Sequence, residues 1–444
     1  MKVLFVSLGC DKNSVDTEVM LGILSKEGYS FTDDESDADI AIVNTCCFIG
    51  DAKKESIDTL IELGSARTSG RLKALIATGC LSQRYAEDIH KDLPEVDALV
   101  GIASIEHIAE ALNNVLKGNP RDYFDSTDNP IHGAHKRVLT TGGYYDYLKI
   151  AEGCNKRCTY CVIPSVRGNY RSIPIEELIE EAKDLVSKGV KELIIVAQEI
   201  TVYGIDIYGY KALPSLLKQL CEIEDLKLVR LLYCYPEEIT DELIDCIASE
   251  SKIVKYLDMP IQSGSDNVLR KMGRKTNYNE LKELVSNIRK RIPDMCLRTT
   301  LITGFPGETI KDHKASLNLI NELQFDRLGV FKYSREENTK AASMSGQKSA
   351  FVKNLRYKEL MKAQQKIAFL KTNAMIGRDV EAIIEGYIPD EGVYVGRTYR
   401  DAPSVDGYVF VSSRRELMSG DIVDIKISKA SGYDLIGELI DELT

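Results

Sequence analysis

Gly153-Cys154-Asn155-Lys156-Arg157-Cys158-Thr159-Tyr160-Cys161 is a C-x3-C-x2-C loop standing just after a strand-like run, Leu148–Ala151. Working outward, a βα unit repeats six times between residue 144 and about 335. The expected strands lie near Leu148–Ala151, Glu192–Ala197, Leu228–Leu232, Tyr256–Met259, Leu297–Ile302 and Leu328–Lys332. Amphipathic helices separate them; Ile175–Ser187, for example, stops at Gly189 as a helix should. Six units predict an open or partial (β/α)6 barrel, with its active site at the C-terminal strand ends. The cysteine loop sits at such an end. Iron–sulfur clusters need thiolates, and a complete protein shell supplies four. Here the motif supplies three, which leaves one iron open, as an open position marks a catalytic metal site. The alternative is zinc or three unrelated core cysteines. Zinc motifs usually come as two C-x2-C pairs, and no second pair lies nearby.

With Ile163-Pro164 after it and the βα units around it, the loop resembles the radical S-adenosylmethionine superfamily. The resemblance implies a 4Fe–4S cluster on Cys154, Cys158 and Cys161, whose open iron binds the amino and carboxylate groups of S-adenosyl-L-methionine. An electron from the cluster would then release a 5′-deoxyadenosyl radical that abstracts hydrogen from an unactivated carbon. Strand-end residues become the natural lining: Gln198 and Glu199, Tyr233, Pro260, Gln262 and Ser263, then Arg298 and Thr300 before Gly304–Thr309. Gln198, Gln262, Ser263 and Arg298 are the cofactor-binding candidates among them. Ordinary strand-end packing and turn formation is the competing reading for each, and no catalytic acid or base is assigned.

Residues 1–118 read as alternating strands and helices, implying a parallel α/β sheet. Strand-like runs are Lys2–Ser7, Ile40–Asn44, Leu72–Ala77 and Ala98–Val100. No GxGxxG follows the first, so a dinucleotide role has no support. Cys10, Cys46 and Cys80 each follow such a run, and parallel strand ends share one edge, where α/β folds place their sites. Buried free cysteines are common, so spacing alone leaves a second metal site open. The surrounding words are more specific. Ser7–Ser14 (SLGCDKNS), Asn44-Thr45-Cys46 and Thr78–Tyr85 (TGCLSQRY) resemble the methylthiotransferase branch of that superfamily. This implies that Cys10, Cys46 and Cys80 hold a second 4Fe–4S cluster that supplies or carries sulfur. One S-adenosyl-L-methionine would methylate that sulfur and another generate the radical, so that a methylthio group enters a C–H bond. Cys47 departs from the pattern, and because successive side chains of extended backbone diverge, Cys46 is taken as the ligand. Core packing is the default for Cys221, Cys234, Cys246 and Cys296.

Residues 119–143, rich in Gly, Pro, Asn, Asp and Thr, read as a linker between the first domain and a radical domain spanning 144–370. The charged stretch Tyr357–Met375 is helical. Asp379–Tyr387, Tyr394–Tyr399, Gly407–Val411, Asp421–Ser428 and Tyr433–Leu439 predict a small antiparallel β-barrel over 373–442. It resembles the TRAM domain, whose usual role is RNA contact. Residues 373–444 hold 7 Lys and Arg against 14 Asp and Glu, a net of −7 within a chain of −11. An acidic module repels phosphate and suits a basic partner such as a small-subunit ribosomal protein. Arg397–Gly407 (RTYRDAPSVDG) and Tyr147–Gly153 (YLKIAEG) resemble the ribosomal-protein enzymes of the family, the RimO type. The expected substrate is therefore an aspartate of the ribosomal protein near the decoding centre, served by an external one-electron donor. Two alternatives stand: a modified adenosine of transfer RNA, or a non-enzymatic cluster-binding module in RNA–protein assembly.

The 444 residues are 44% hydrophobic and 28% charged, as in a globular protein of several domains. Eleven cysteines without a signal-like N-terminus point to metal or catalysis rather than disulfides, in the cytoplasm. No run of about 18 apolar residues suggests a membrane span.

Overall fold

Ile40–Thr45 and Ala74–Gly79 are buried at every position, the mark of parallel strands covered on both faces. In the computed structural model, which describes residues 1–133 and 136–442, they form the centre of a five-stranded parallel sheet. Its strands are β1 (Lys2–Ser7), β2 (Ser30–Thr32), β3 (Ile40–Thr45), β4 (Ala74–Gly79) and β5 (Ala98–Val100), in the order β2-β1-β3-β4-β5. The sequence reading lacks β2, whose three half-exposed residues give no periodicity. Connections diverge at the β1/β3 boundary, and a crevice opens there outside the carboxyl ends of the strands. Three helices begin near those ends: α1 (Asp11–Lys26), α2 (Gly50–Thr68) and α3 (Cys80–Arg84).

The middle of the chain forms the expected open barrel. Strands β6 (Tyr145–Lys149), β9 (Glu192–Val196), β10 (Leu228–Leu231), β11 (Ile253–Asp258), β12 (Cys296–Thr303) and β13 (Arg327–Lys332) pair in parallel in that order, and the outer two do not meet. A short antiparallel pair, β7 (Ala151–Glu152) with β8 (Arg171–Ser172), flanks the cysteine loop. Local chemistry sets the boundaries: Asn277 with Glu280, and Thr309 with Asp312, are capping boxes that start the helices before β12 and before β13.

The C-terminal strands β14 (Asp379–Ile388), β15 (Val393–Thr398), β16 (Val409–Ser412), β17 (Ile422–Ser431) and β18 (Asp434–Leu439) close into a barrel. Here the expectation of antiparallel pairing needs one correction, since β16 and β18 run parallel. Alternation along a strand reports which face is buried, not the direction of its neighbour. This barrel docks on the radical domain through buried charge. Glu192 of β9 takes Arg397 at 2.8 Å and Arg230 at 2.7 Å, Arg400 meets Asp326 at 3.1 Å, and Tyr256 donates to Asp406 at 2.7 Å. Two of its cations, Arg397 and Arg400, are thus turned inward.

Residues 119–133 and 136–143 contribute no regular element longer than a bridge, yet they are docked; residues 134 and 135 lie outside the described residues. Arg137 is fully buried among three carboxylates: Glu18 of α1 at 2.5 Å, Asp146 of β6 at 2.9 Å and Glu181 at 2.9 Å. Burial pushes the Asp146 carboxyl up to about 7, against the pull of Arg137. Replacing Arg137 with Met strands those acids. The expected loss of stability at pH 8 is about 3–5 kcal/mol, as for other broken buried ion pairs. Protonation of the stranded acids makes the loss smaller at pH 5. Urea unfolding at the two pH values measures both. Among the described residues, no helix is long and apolar enough to cross a membrane.

Candidate active site

The cysteine loop is built on backbone. Gly153, at φ +77°, lies so close to the carbonyl of Asn169 that a Cβ would collide with it. Cys154 N donates to Gly168 O at 3.2 Å, Thr159 N to Met272 O at 2.9 Å, and Tyr170 N to the Asn155 side chain at 3.1 Å. These bonds gather Cys154, Cys158 and Cys161 at the mouth of the barrel. Cys161 N reaches Cys158 O at 3.1 Å. Burial pushes the Cys161 thiol up to about 12, and charge on Cys158 and Cys154 pushes the same way. Burial likewise takes Cys154 to about 11, helped by Cys158. Cys154 and Cys161 are thus desolvated thiols that a cationic centre would draw to thiolate, and Cys158 stands beside them. The Tyr235 hydroxyl stands 3.1 Å from the Cys158 sulfur, and Arg274 stacks 4.1 Å from the Tyr235 ring.

The other trio lies at the carboxyl edge of the first sheet. Cys10 caps α1, Cys46 follows β3, and Cys80 opens α3 directly after β4. Gly9, at φ +101°, lets the first turn press on the second: a Cβ there would stand 2.8 Å from Cys46 Cβ and 3.1 Å from its sulfur. Ser56 holds Cys46 at both backbone groups, at 2.9 Å each. Cys47 goes the other way, into the core with Leu60 and Leu81, its sulfur 3.2 Å from Cys80 O. Burial pushes Cys80 up to about 12; Arg167 opposes this, and the thiols of Cys10, Cys47 and Cys46 add to it.

Among the described residues, no three His, Cys, Asp or Glu side chains group closely enough to hold a single metal ion. In a cubane each iron takes its own thiolate, so three ligands stand farther apart than around one ion. Donor chemistry and burial in both trios fit a cluster of that kind.

The first turn of α1 packs against the strand ends of the barrel, next to the turn that carries Cys10. Lys12 Nζ sits 3.4 Å from the centre of the Tyr233 ring, and Tyr233 donates to Asp11 at 3.1 Å. Tyr233 and Gln262 follow β10 and β11 with φ of 63° and 71°. Such conformations are uncommon outside glycine and cluster where the surroundings hold a functional geometry. Gln198 Nε2 donates to Glu152 at 2.7 Å, while its Oε1 and that of Gln262 are buried without partners among the described residues. Buried acceptors of this kind await a donor. Arg298 pairs with Asp258 at 2.7 Å and lies 3.7 Å from Asp406 of the C-terminal barrel. Ser263 is placed differently: its hydroxyl accepts from Ser265 N at 3.2 Å and lies 3.5 Å from that of Ser316, which makes it a loop-forming residue. Cys234, Cys246 and Cys296 are buried, and Cys221 is half-buried. Sequence reasoning missed Glu152, Arg167, Tyr235 and Arg274, since nothing local tells which charges a distant segment will cover.

Glu199 adds a titratable group at these strand ends. Burial pushes its carboxyl up to about 7, although Thr201 N donates to it at 2.8 Å. Between pH 7 and 4.5 the folded chain then holds a proton that the unfolded chain has released. Stability should rise as pH falls through that window and stay at its deficit above pH 7. Glu199→Gln should therefore stabilise by on the order of 2–3 kcal/mol at pH 8 and little at pH 5. Urea titrations at both pH values check the difference.

Comparison with known proteins gives three family matches. Residues 2–101 match the uncharacterized protein family UPF0004, residues 148–320 the radical SAM superfamily, and residues 376–440 the TRAM domain. The chain is 55% identical over 437 residues to the ribosomal protein uS12 methylthiotransferase RimO of Lachnoclostridium phytofermentans, covering 98% of this chain and 99% of that one. It is 46% identical to the same-named protein of Thermoanaerobacter sp., over 98% of each. Among solved structures, the radical S-adenosylmethionine methyltransferase TsrM of Kitasatospora setae, with cobalamin and a [4Fe-4S] cluster bound, aligns over 77% of this chain and 76% of its own. Its TM-score is 0.56 at 15% identity, which speaks to the fold alone.

Proposed function

Because the chain belongs to the RimO family of radical S-adenosylmethionine methylthiotransferases, we propose that it inserts a methylthio group at the β-carbon of one aspartate of ribosomal protein uS12. The observation that carries this reading is the pair of cysteine trios, four of the six buried and two half-buried, one at the strand ends of the first sheet and one in the loop after the first barrel strand. We assign residues 144–370 to the radical cluster on Cys154, Cys158 and Cys161. Residues 1–118 we assign to an auxiliary cluster on Cys10, Cys46 and Cys80, and 373–442 to a TRAM-like barrel. When bound, the clusters and S-adenosyl-L-methionine supply reductive sulfonium cleavage, hydrogen abstraction and the sulfur to be transferred.

What the chain itself does follows from its side chains. Gln198 and Gln262 offer unpartnered buried acceptors to an ammonium or hydroxyl group of the cofactor. Arg298, held by Asp258, presents a fixed cation to a carboxylate. Tyr235, backed by Arg274, supports Cys158 and keeps water from the loop. An external one-electron donor completes the reaction, in the cytoplasm.

The protein substrate is favoured over RNA by charge. The C-terminal barrel is already acidic, and it faces Arg397 and Arg400 into the radical domain, away from any phosphate. Mass spectrometry of uS12 from a strain lacking this chain tests the assignment. Loss of the modified aspartate is expected. An intact modification with loss of a methylthioadenosine from transfer RNA would give the chain the RNA role instead.

A further inference from the structure

Arg167 lies between the two trios. It belongs to the radical domain, directly after the short helix Ile163–Val166. Yet Val162, which caps that helix, and Val166, its last residue, pack in one apolar cluster with Cys47, Cys80 and Leu81 of the N-terminal domain. The Arg167 side chain is 1% exposed. Its Nη1 donates to Glu152 Oε2 at 2.8 Å, and its Nη2 donates to Asn13 Oδ1 at 2.5 Å.

Asn13 is fixed in turn. Its Nδ2 donates to Leu8 O at 2.8 Å and Thr45 O at 3.2 Å, so it is wedged between the turns that carry Cys10 and Cys46. Burial opposes the Arg167 charge, but Cys80, Glu152, Asp16 and Cys10 surround it and favour it. Of the other nearby cations, Lys12 pairs with Asp11 under the Tyr233 ring, and Lys149 shares Asp16 and Glu152 with Arg167.

A cubane on three thiolates is anionic, and reduction adds one more negative charge beside the buried Cys46 and Cys80. Net charge and hydrogen bonds to sulfur set the potential of such a cluster. We propose that Arg167 is a positioning residue for the auxiliary cluster, a guanidinium supplied by the radical domain that compensates the charge of a cubane on Cys10, Cys46 and Cys80. The inference rests on the two-cluster reading above. Glu152, shared with Gln198, and Asp16, paired at 3.6 Å, together hold the guanidinium in place.

The test uses the full chain with Cys154, Cys158 and Cys161 replaced by Ala, reconstituted anaerobically with iron and sulfide, so that only the N-terminal site can load. A parent variant that holds no cluster overturns the two-cluster reading and this proposal with it. Given a cluster, an EPR-monitored redox titration follows the added R167M change. The reduced form should become at least tenfold less favoured, about 59 mV more negative for a one-electron couple. R167K, which keeps the charge, should recover most of that shift. An R167M cluster that loads and titrates at the parent potential overturns the proposal. Should R167M fail to load, R167K decides: loading with the parent EPR signal supports the charge requirement, and failure there as well contradicts it.

Discussion

Replacing Cys154, Cys158 and Cys161 together with Ala is expected to abolish reductive cleavage of S-adenosyl-L-methionine and to remove about half of the bound iron, one of two 4Fe–4S clusters. Cys234 is no substitute: it is fully buried, and its backbone N–H donates to Asp258 O at 2.9 Å. The loop should survive the change, because backbone bonds to Gly168, Met272 and Asn155 shape it rather than the thiols. Loss of 5′-deoxyadenosine formation under a strong reductant, with an unaltered unfolding midpoint, is the expected combination. Persistent cleavage would place the radical chemistry elsewhere.

The second large effect separates the two trios. Replacing Cys10, Cys46 and Cys80 with Ala should leave 5′-deoxyadenosine formation within about a factor of five of the parent, since a 1 kcal/mol disturbance changes a rate roughly fivefold. Methylthio insertion into uS12 should vanish. Gly9 and Ser56 hold the Cys46 turn through backbone, and the contacts of Asp11 and Lys12 with Tyr233 do not use the thiols, so the barrel mouth should survive the change. Measuring deoxyadenosine and the mass of uS12 in the same reaction shows the split. Unchanged iron content after these three replacements would mean that no cluster was lost.

Much of the architecture was legible because it is written in local patterns. The alternation of strand and helix gives the parallel sheets, and the strand-to-cysteine order of Cys10, Cys46 and Cys80 follows from the shared edge of such a sheet. What was not legible depends on distance along the chain. Arg137 meets Glu18 across 119 residues, and Arg167 meets Asn13 across 154. No periodicity in a Gly- and Pro-rich stretch announces that one of its arginines will be buried among three acids. Ser263 shows how a strand-end hydroxyl is also drawn into its own loop, where Ser265 and Ser316 engage it. The parallel pairing of β16 with β18 was hidden for a further reason: strand direction is fixed by connections, not by composition.

The account depends on two cubanes in one chain. Iron and acid-labile sulfide should be counted on the full-length protein after anaerobic reconstitution and removal of loosely bound metal. It predicts about eight of each per chain, two 4Fe–4S clusters. About four of each would contradict the second cluster, and iron without sulfide would contradict both.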